Sequence, residues 1–262
     1  MTSFLELGRI VPSGICVPLY STHISAGFPS PADDYAEASL SLDELANVRA
    51  PHTYILLVTD ESMAGKGIAC GDLLIVDRAM TAQTGDVVVT EAEDAAIRTL
   101  AFDKAGRPML LSSNPHYPPI VFGEGEELLI YGVVTFSLHR LRPTSRPAEP
   151  ADLPRSLDAL VNIRAPSTYL VRTAGDSMVD AGIYPGDVLV ICRACEAQPG
   201  DVVIACVQGE FTVKTLALEH DRRPLLLPAN PRYPTLRFAA GDELRLFGVA
   251  TFSLHKHCAR VK

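Results

Sequence analysis

The apolar positions of this chain fall into short runs. LLIVD (73–77), DVVVT (86–90), PMLLS (108–112) and ELLIYGVVTFSL (127–138) are rich in β-branched and aliphatic residues, and Gly-Asp, Asn-Pro and Arg-Pro steps punctuate them. Such runs predict strands, and short strands at this spacing predict a mainly β domain built from antiparallel neighbours. Helical signal is confined to two short places. One is SLDELANV (41–48), with Ser or Asp as the N-cap, and the other is a single turn after Ser62-Met63.

The same pattern then returns. SLDELANVRAPHTY (41–54) recurs as SLDALVNIRAPSTY (156–169), and SMAGKGIACGDLLIVDRA (62–79) as SMVDAGIYPGDVLVICRA (177–194). RPMLLSSNPHYPPIVF (107–122) recurs as RPLLLPANPRYPTLRF (223–238), and YGVVTFSLHR (131–140) as FGVATFSLHK (247–256). The offset changes by one residue in the hairpin before Arg98. A repeat of about 100 residues is the size of a compact domain, far above that of solenoid units. The expected organisation is an N-terminal arm over 1–40, one domain over 41–142, a Pro-rich linker over 143–155 and a second domain over 156–262.

Composition sets limits. With 262 residues and 47% hydrophobic content the chain can bury two cores. No apolar run is long enough to span a membrane and the N-terminus has no leader pattern, so a cytoplasmic protein is expected. A formal charge of −8 argues against direct DNA binding, because neutralising phosphates takes clustered Lys and Arg. The six cysteines include Cys192-Arg-Ala-Cys195, which has metal-ligand spacing. The first copy has Asp77 and Met80 at those positions and no second pair completes four ligands, so no metal is expected and the cysteines read as reduced.

Both copies place a serine before a methionine and a glycine-rich turn, as DESMAGKGIACGDLLIV and GDSMVDAGIYPGDVLVI. Alone, such a serine reads as a turn residue capping a short helix. In the second copy, however, GEFTVKTL (209–216) carries Lys214 on a later strand, flanked by Phe211, Val213 and Leu216. Burial among apolar neighbours lowers a lysine pKa, and a neutral amine can activate a serine hydroxyl. A lysine on a strand is otherwise a solvated edge charge.

These residues, together with GFPSPADDY (27–35), GDVVIA (200–205), NPRYP (230–234) and FGVATFSLH (247–255), resemble the self-cleaving serine peptidase family of the LexA and UmuD group, nearest its UmuD-like branch. The resemblance covers nearly the whole chain. It implies a curled antiparallel β-clip fold that pairs as a dimer, here as an intramolecular pseudo-dimer. It also implies a Ser/Lys dyad without cofactor, formed by Ser177 as nucleophile and Lys214 as general base and acid. Self-cleavage is implied in the arm, at Ala26-Gly27 in STHISAGFPSPADDY (21–35). The implied partners are an activating filament of RecA on single-stranded DNA and a Y-family polymerase subunit, in SOS mutagenesis.

The carry-over fails for the first copy. Ser62 aligns with Ser177, but Arg98 stands where Lys214 stands, in EDAAIRTL (93–100), and a guanidinium does not give up its proton in proteins. Asp60-Glu61 replaces Gly175-Asp176, and an added carboxylate there is expected to pair with Arg98. The first copy is therefore expected to be inactive, and its arm to be cut by the second. Two further classes fit the composition, a non-catalytic scaffold for a polymerase and a self-cleaving repressor. The repressor is disfavoured because about 25 non-basic residues before the cut are too few for a helix-turn-helix.

Overall fold

The computed structural model describes residues 4–8, 17–21, 36–48, 50–91, 95–123, 125–142, 156–238, 242 and 244–261. Ala26-Gly27 and the 143–155 linker lie outside these residues. The chain divides into two compact units. The first comprises Met1–Pro12, Asp43–His139 and Lys256–Lys262, and the second Ser13–Leu42 and Arg140–His255.

The arm contributes three strands, β1 (Phe4–Gly8), β2 (Val17–Ser21) and β3 (Ala36–Leu40). The first unit continues with β4 (Thr53–Val58), β5 (Leu73–Asp77), β6 (Val87–Thr90), β7 (Ile97–Phe102), β8 (Pro108–Leu111), β9 (Ile120–Val121) and β10 (Ile130–Arg140). Its pairings run β1–β4–β5–β10–β6–β7–β8–β9, all antiparallel. The sequence expectation of a mainly β, antiparallel fold therefore holds. The last residues of the chain belong to this unit: the His257 N–H donates to Thr135 O at 2.9 Å, and Arg260 pairs with Asp86.

The second unit repeats the plan with β11 (Thr168–Arg172), β12 (Val188–Cys192), β13 (Val202–Val207), β14 (Glu210–Leu218), β15 (Pro224–Leu227), β16 (Leu236–Arg237) and β17 (Arg245–Lys256). Here the arm joins differently. β2 lies parallel to β11, with Leu19, Tyr20 and Ser21 opposite Leu170, Val171 and Arg172, and β3 pairs antiparallel on the outer side of β2.

The continuous apolar runs belong to strands buried on both faces. Val87 and Val89 of β6 pack with Leu56, Met63, Leu74 and Ile97, while Val88 between them packs with Leu100, Leu110 and Val133. Val202, Val203 and Ile204 of β13 divide in the same way between two clusters. The helices are brief. Leu157–Leu160 is capped by Ser156, whose side chain accepts from Ala159 N, and a 3-10 turn follows each Ser-Met, at Ala64–Lys66 and Val179–Ala181.

The repeated Gly-Asp step has a physical cause. Gly71 and Gly186 adopt φ of +92° and +93°, where a side chain is disfavoured. The aspartate that follows is buried and accepts from the histidine closing the last long strand: His139 Nδ1 lies 2.6 Å from Asp72 Oδ1, and His255 Nδ1 2.6 Å from Asp187 Oδ1. Gly248 in FGVATF is required for space instead. A Cβ there would meet Ile191 Cγ2 at 2.6 Å and Cys192 O at 2.9 Å. Gly248→Ala is expected to cost about 1–3 kcal/mol, read as a lower urea midpoint at unchanged slope.

Candidate active site

β11 leads through Thr173 and Ala174 into the loop that carries Gly175, Asp176 and Ser177, and β14 passes beside it with Lys214. Alternation along β14 turns Lys214 inward opposite Val203, and the residue is only 5% exposed. Its Nζ lies 2.8 Å from Ser177 Oγ, 2.8 Å from Thr212 Oγ1 and 2.9 Å from Val213 O. Burial pushes the Lys214 pKa down. A neutral amine held by these three groups donates its two N–H bonds to Thr212 Oγ1 and Val213 O. Its lone pair then faces the Ser177 hydroxyl, the geometry a general base requires.

A small cavity of about 70 Å³ opens beside Ser177, lined by Thr173, Met178, Ile183, Phe211 and Val213 among others. The loop itself is clamped by the NPRYP segment. Asn230 Nδ2 donates to Asp176 O at 2.9 Å, Ala229 N–H donates to Ser177 O at 2.9 Å, and Arg232 and Tyr233 both bond the Asp176 carboxylate. The Tyr233 ring also stands 6.0 Å from Lys214 Nζ. Thr212 was not among the residues singled out from sequence, and NPRYP was noted only for its family likeness, without a role. The repetition of NPHYP and NPRYP was the available signal, since Asn114 Nδ2 makes the same bond to Glu61 O at 2.9 Å.

The first unit assembles the equivalent parts into a closed arrangement. Ser62 has no exposure, and its Oγ donates to Asp60 Oδ1 at 2.8 Å. The same Asp60 oxygen accepts the Ser62 backbone N–H at 3.1 Å. Arg98 NH1 donates to Ile97 O at 2.7 Å, its guanidinium lies 5.5 Å from the Tyr117 ring, and its buried Nε has no hydrogen-bond partner among the described residues. The expected carboxylate pairing with Arg98 thus takes another form. Burial lowers the Arg98 pKa while Asp60 attracts the guanidinium through space, but the direct bonds of this carboxylate reach the serine. Gly175 stands where Asp60 stands, so no side chain at that position takes the Ser177 N–H or hydroxyl.

Arg98→Lys alone is therefore expected not to create a second site. In a Ser177→Ala background it should leave the chain uncut, because Ser62 keeps its bonds to Asp60. Mass measurement after prolonged alkaline incubation checks this, and any cut would show that the base alone was missing.

A family model described as peptidase S24-like matches the chain twice, over residues 18–135 and 147–251. The chain belongs to the peptidase S24-like family. Protein SamA of Salmonella typhimurium is 43% identical over 117 residues, covering 44% of this chain and 80% of SamA. Protein ImpA of Escherichia coli is 39% identical over 128 residues, 48% of this chain and 85% of ImpA. The LexA repressor of Oleidesulfovibrio alaskensis is 42% identical over 80 residues, 30% of this chain and 38% of that repressor. Each alignment takes up less than half of this chain while SamA and ImpA are covered over most of their length, as a doubled S24 domain requires. Among the described residues there is no cluster of His, Cys, Asp and Glu suited to a metal ion, and no helix long and apolar enough to cross a membrane.

Proposed function

We propose that this doubled S24 protein is a self-cleaving serine endopeptidase in which Ser177 and Lys214 cut the Ala26-Gly27 bond of the arm. The observation that carries the reading is the buried Lys214 amine 2.8 Å from the Ser177 hydroxyl, with a lowered pKa. Lys214 takes the hydroxyl proton as Ser177 Oγ attacks the Ala26 carbonyl, then returns it to the Gly27 nitrogen as that group leaves. Water releases the acyl group in a second cycle. The backbone N–H of Ser177, left without the Asp60 counterpart, is the natural donor to the oxyanion.

The register of β2 supports delivery of this bond. Ser21 is opposite Arg172 in a parallel pairing, so Ala26 lies five residues beyond the last pair on one strand and Ser177 five residues beyond it on the other. The cavity beside the serine, lined by Met178, Ile183, Phe211 and Val213, offers an apolar place for the Ala26 methyl. The wider role follows from the UmuD-like branch: an SOS mutagenesis factor stimulated by a recombinase filament on single-stranded DNA, whose cut form assists a Y-family polymerase. Incubation of the purified chain at alkaline pH should yield a product spanning residues 27–262 with Gly27 at its N-terminus. An uncut chain, even with the activated filament, would leave only a non-catalytic scaffold.

A further inference from the structure

The pair Cys192 and Cys195 takes no part in the chemistry above, yet the structure joins them as a disulfide, with Cα atoms 5.5 Å apart. This corrects the expectation of reduced cysteines for this pair, whereas Cys70, Cys206 and Cys258 are free. The bridge ties the end of β12 to the turn that leads into β13. In the first unit the same turn is held by a carboxylate: Asp77 Oδ1 accepts from Ala79 N at 2.7 Å and from Met80 N at 3.2 Å. Asp77 aligns with Cys192 and Met80 with Cys195, so a covalent staple in one repeat stands where a polar cap stands in the other.

Several features make the bridge open to exchange. Both cysteines are half-buried, and Arg193 and Ala194 between them are exposed. The Arg193 guanidinium sits 4.8 Å from the Phe247 ring and 5.5 Å from the Tyr169 ring, which anchors the residue that follows Cys192. Cys195 also packs against the cluster of Val203, Leu216 and Val249. Val203 is the cross-strand partner of Lys214, and Leu216 lies two residues further along the same strand.

We propose that Cys192 and Cys195 form a reversible thiol–disulfide site, opened by a dithiol reductant, that governs how firmly the strand pair carrying Lys214 is held. A reductant thiolate attacks one sulfur, the S–S bond breaks and the other cysteine leaves as a thiolate. The second reductant thiolate then resolves the mixed disulfide, so two electrons and two protons pass to the protein and the reductant ends as a disulfide. Once open, the turn has a cysteine at position 192 where Asp77 of the first repeat accepts the equivalent N–H groups, so that cap is missing. The bridge itself stands independently of the peptidase reading; its effect on cleavage rests on that reading.

The test uses the full chain, with Ser177→Ala for melting so that no cut intervenes. Peptide mapping after iodoacetamide should find Cys192 and Cys195 unlabelled in glutathione disulfide buffer and labelled in dithiothreitol, with reduction lowering the melting temperature by about a few degrees. The double variant Cys192→Asp/Cys195→Met, which reinstates the cap of the first repeat, should melt close to the oxidised protein and ignore reductant. Cys192→Ser/Cys195→Ser should melt low in both buffers. Labelling of both cysteines under oxidising conditions, or a melting temperature unmoved by reduction, overturns the site. Reduction should also slow cleavage several-fold in the otherwise unaltered chain but not in the Asp/Met variant. An unchanged rate overturns the coupling, whereas a redox response in a chain that is never cut overturns the peptidase reading and leaves the site standing.

Discussion

Ser177→Ala or Lys214→Ala is expected to lower the rate of self-cleavage by at least about 10³-fold, because each removes one half of a unit in which neither part acts alone. Among the described residues Lys214 Nζ is the base at the hydroxyl, 2.8 Å away, and position 175 is a glycine with no carboxylate to substitute. The pH dependence has a definite sign. Only the neutral amine accepts the proton, so the rate rises with pH and levels once Lys214 has lost its charge. Burial lowers that pKa, which puts the midpoint below the ordinary lysine value of about 10.4. Time courses by intact mass between about pH 7 and 11 would show the rise in the parent chain. In Lys214→Ala both the rate and the alkaline limb should vanish, and Ser62→Ala should leave them intact. A cut that survives Ser177→Ala but fails in Ser62→Ala would reverse the assignment of the two halves.

Much of this was legible in the sequence for local reasons. Strands such as LLIVD and DVVVT declare themselves because β5 and β6 are buried on both faces, which leaves no polar alternation to confuse them. The duplication made each motif appear twice, so Gly-Asp and Ser-Met could be recognised as turns with a fixed role. Lys214 and Ser177 were proposed from a family likeness and are brought together by the strand register. What escaped the sequence was non-local. The placement of β2 beside β11 is a parallel pairing between segments about 150 residues apart, and the second copy has no arm with which to compare it. Asp60 was noticed as a charge, but its direction toward the serine rather than toward Arg98 depends on the loop that NPHYP clamps. Cys192 and Cys195 were visible as a pair with metal-ligand spacing, the repeat argued against a metal and favoured free thiols, and only the turn geometry shows the disulfide.

Cleavage is expected to be unimolecular within one chain, and this follows from the arm rather than from the dyad. β2 is already paired to the unit that holds Ser177 and Lys214, and Ala26 follows Ser21 by only five residues, so under the proposed reading the arm meets the dyad at an effective concentration on the order of millimolar. A second chain at micromolar concentration competes at a disadvantage of about 10³-fold. The first-order rate constant should therefore stay constant over a wide dilution series. In an equal mixture, a mass-tagged Ser177→Ala chain should be cut at least about 10²-fold more slowly than the intact chain beside it. Moving the bond out of register provides a second check: two glycines inserted after Ser21 lengthen the path from the last β2–β11 pair to Ala26, which should slow the cut while leaving the Ser177–Lys214 geometry untouched. A rate proportional to protein concentration, or equal cutting of both chains in the mixture, would mean that the arm reaches the dyad from a neighbouring molecule and that its pairing with β11 serves another purpose.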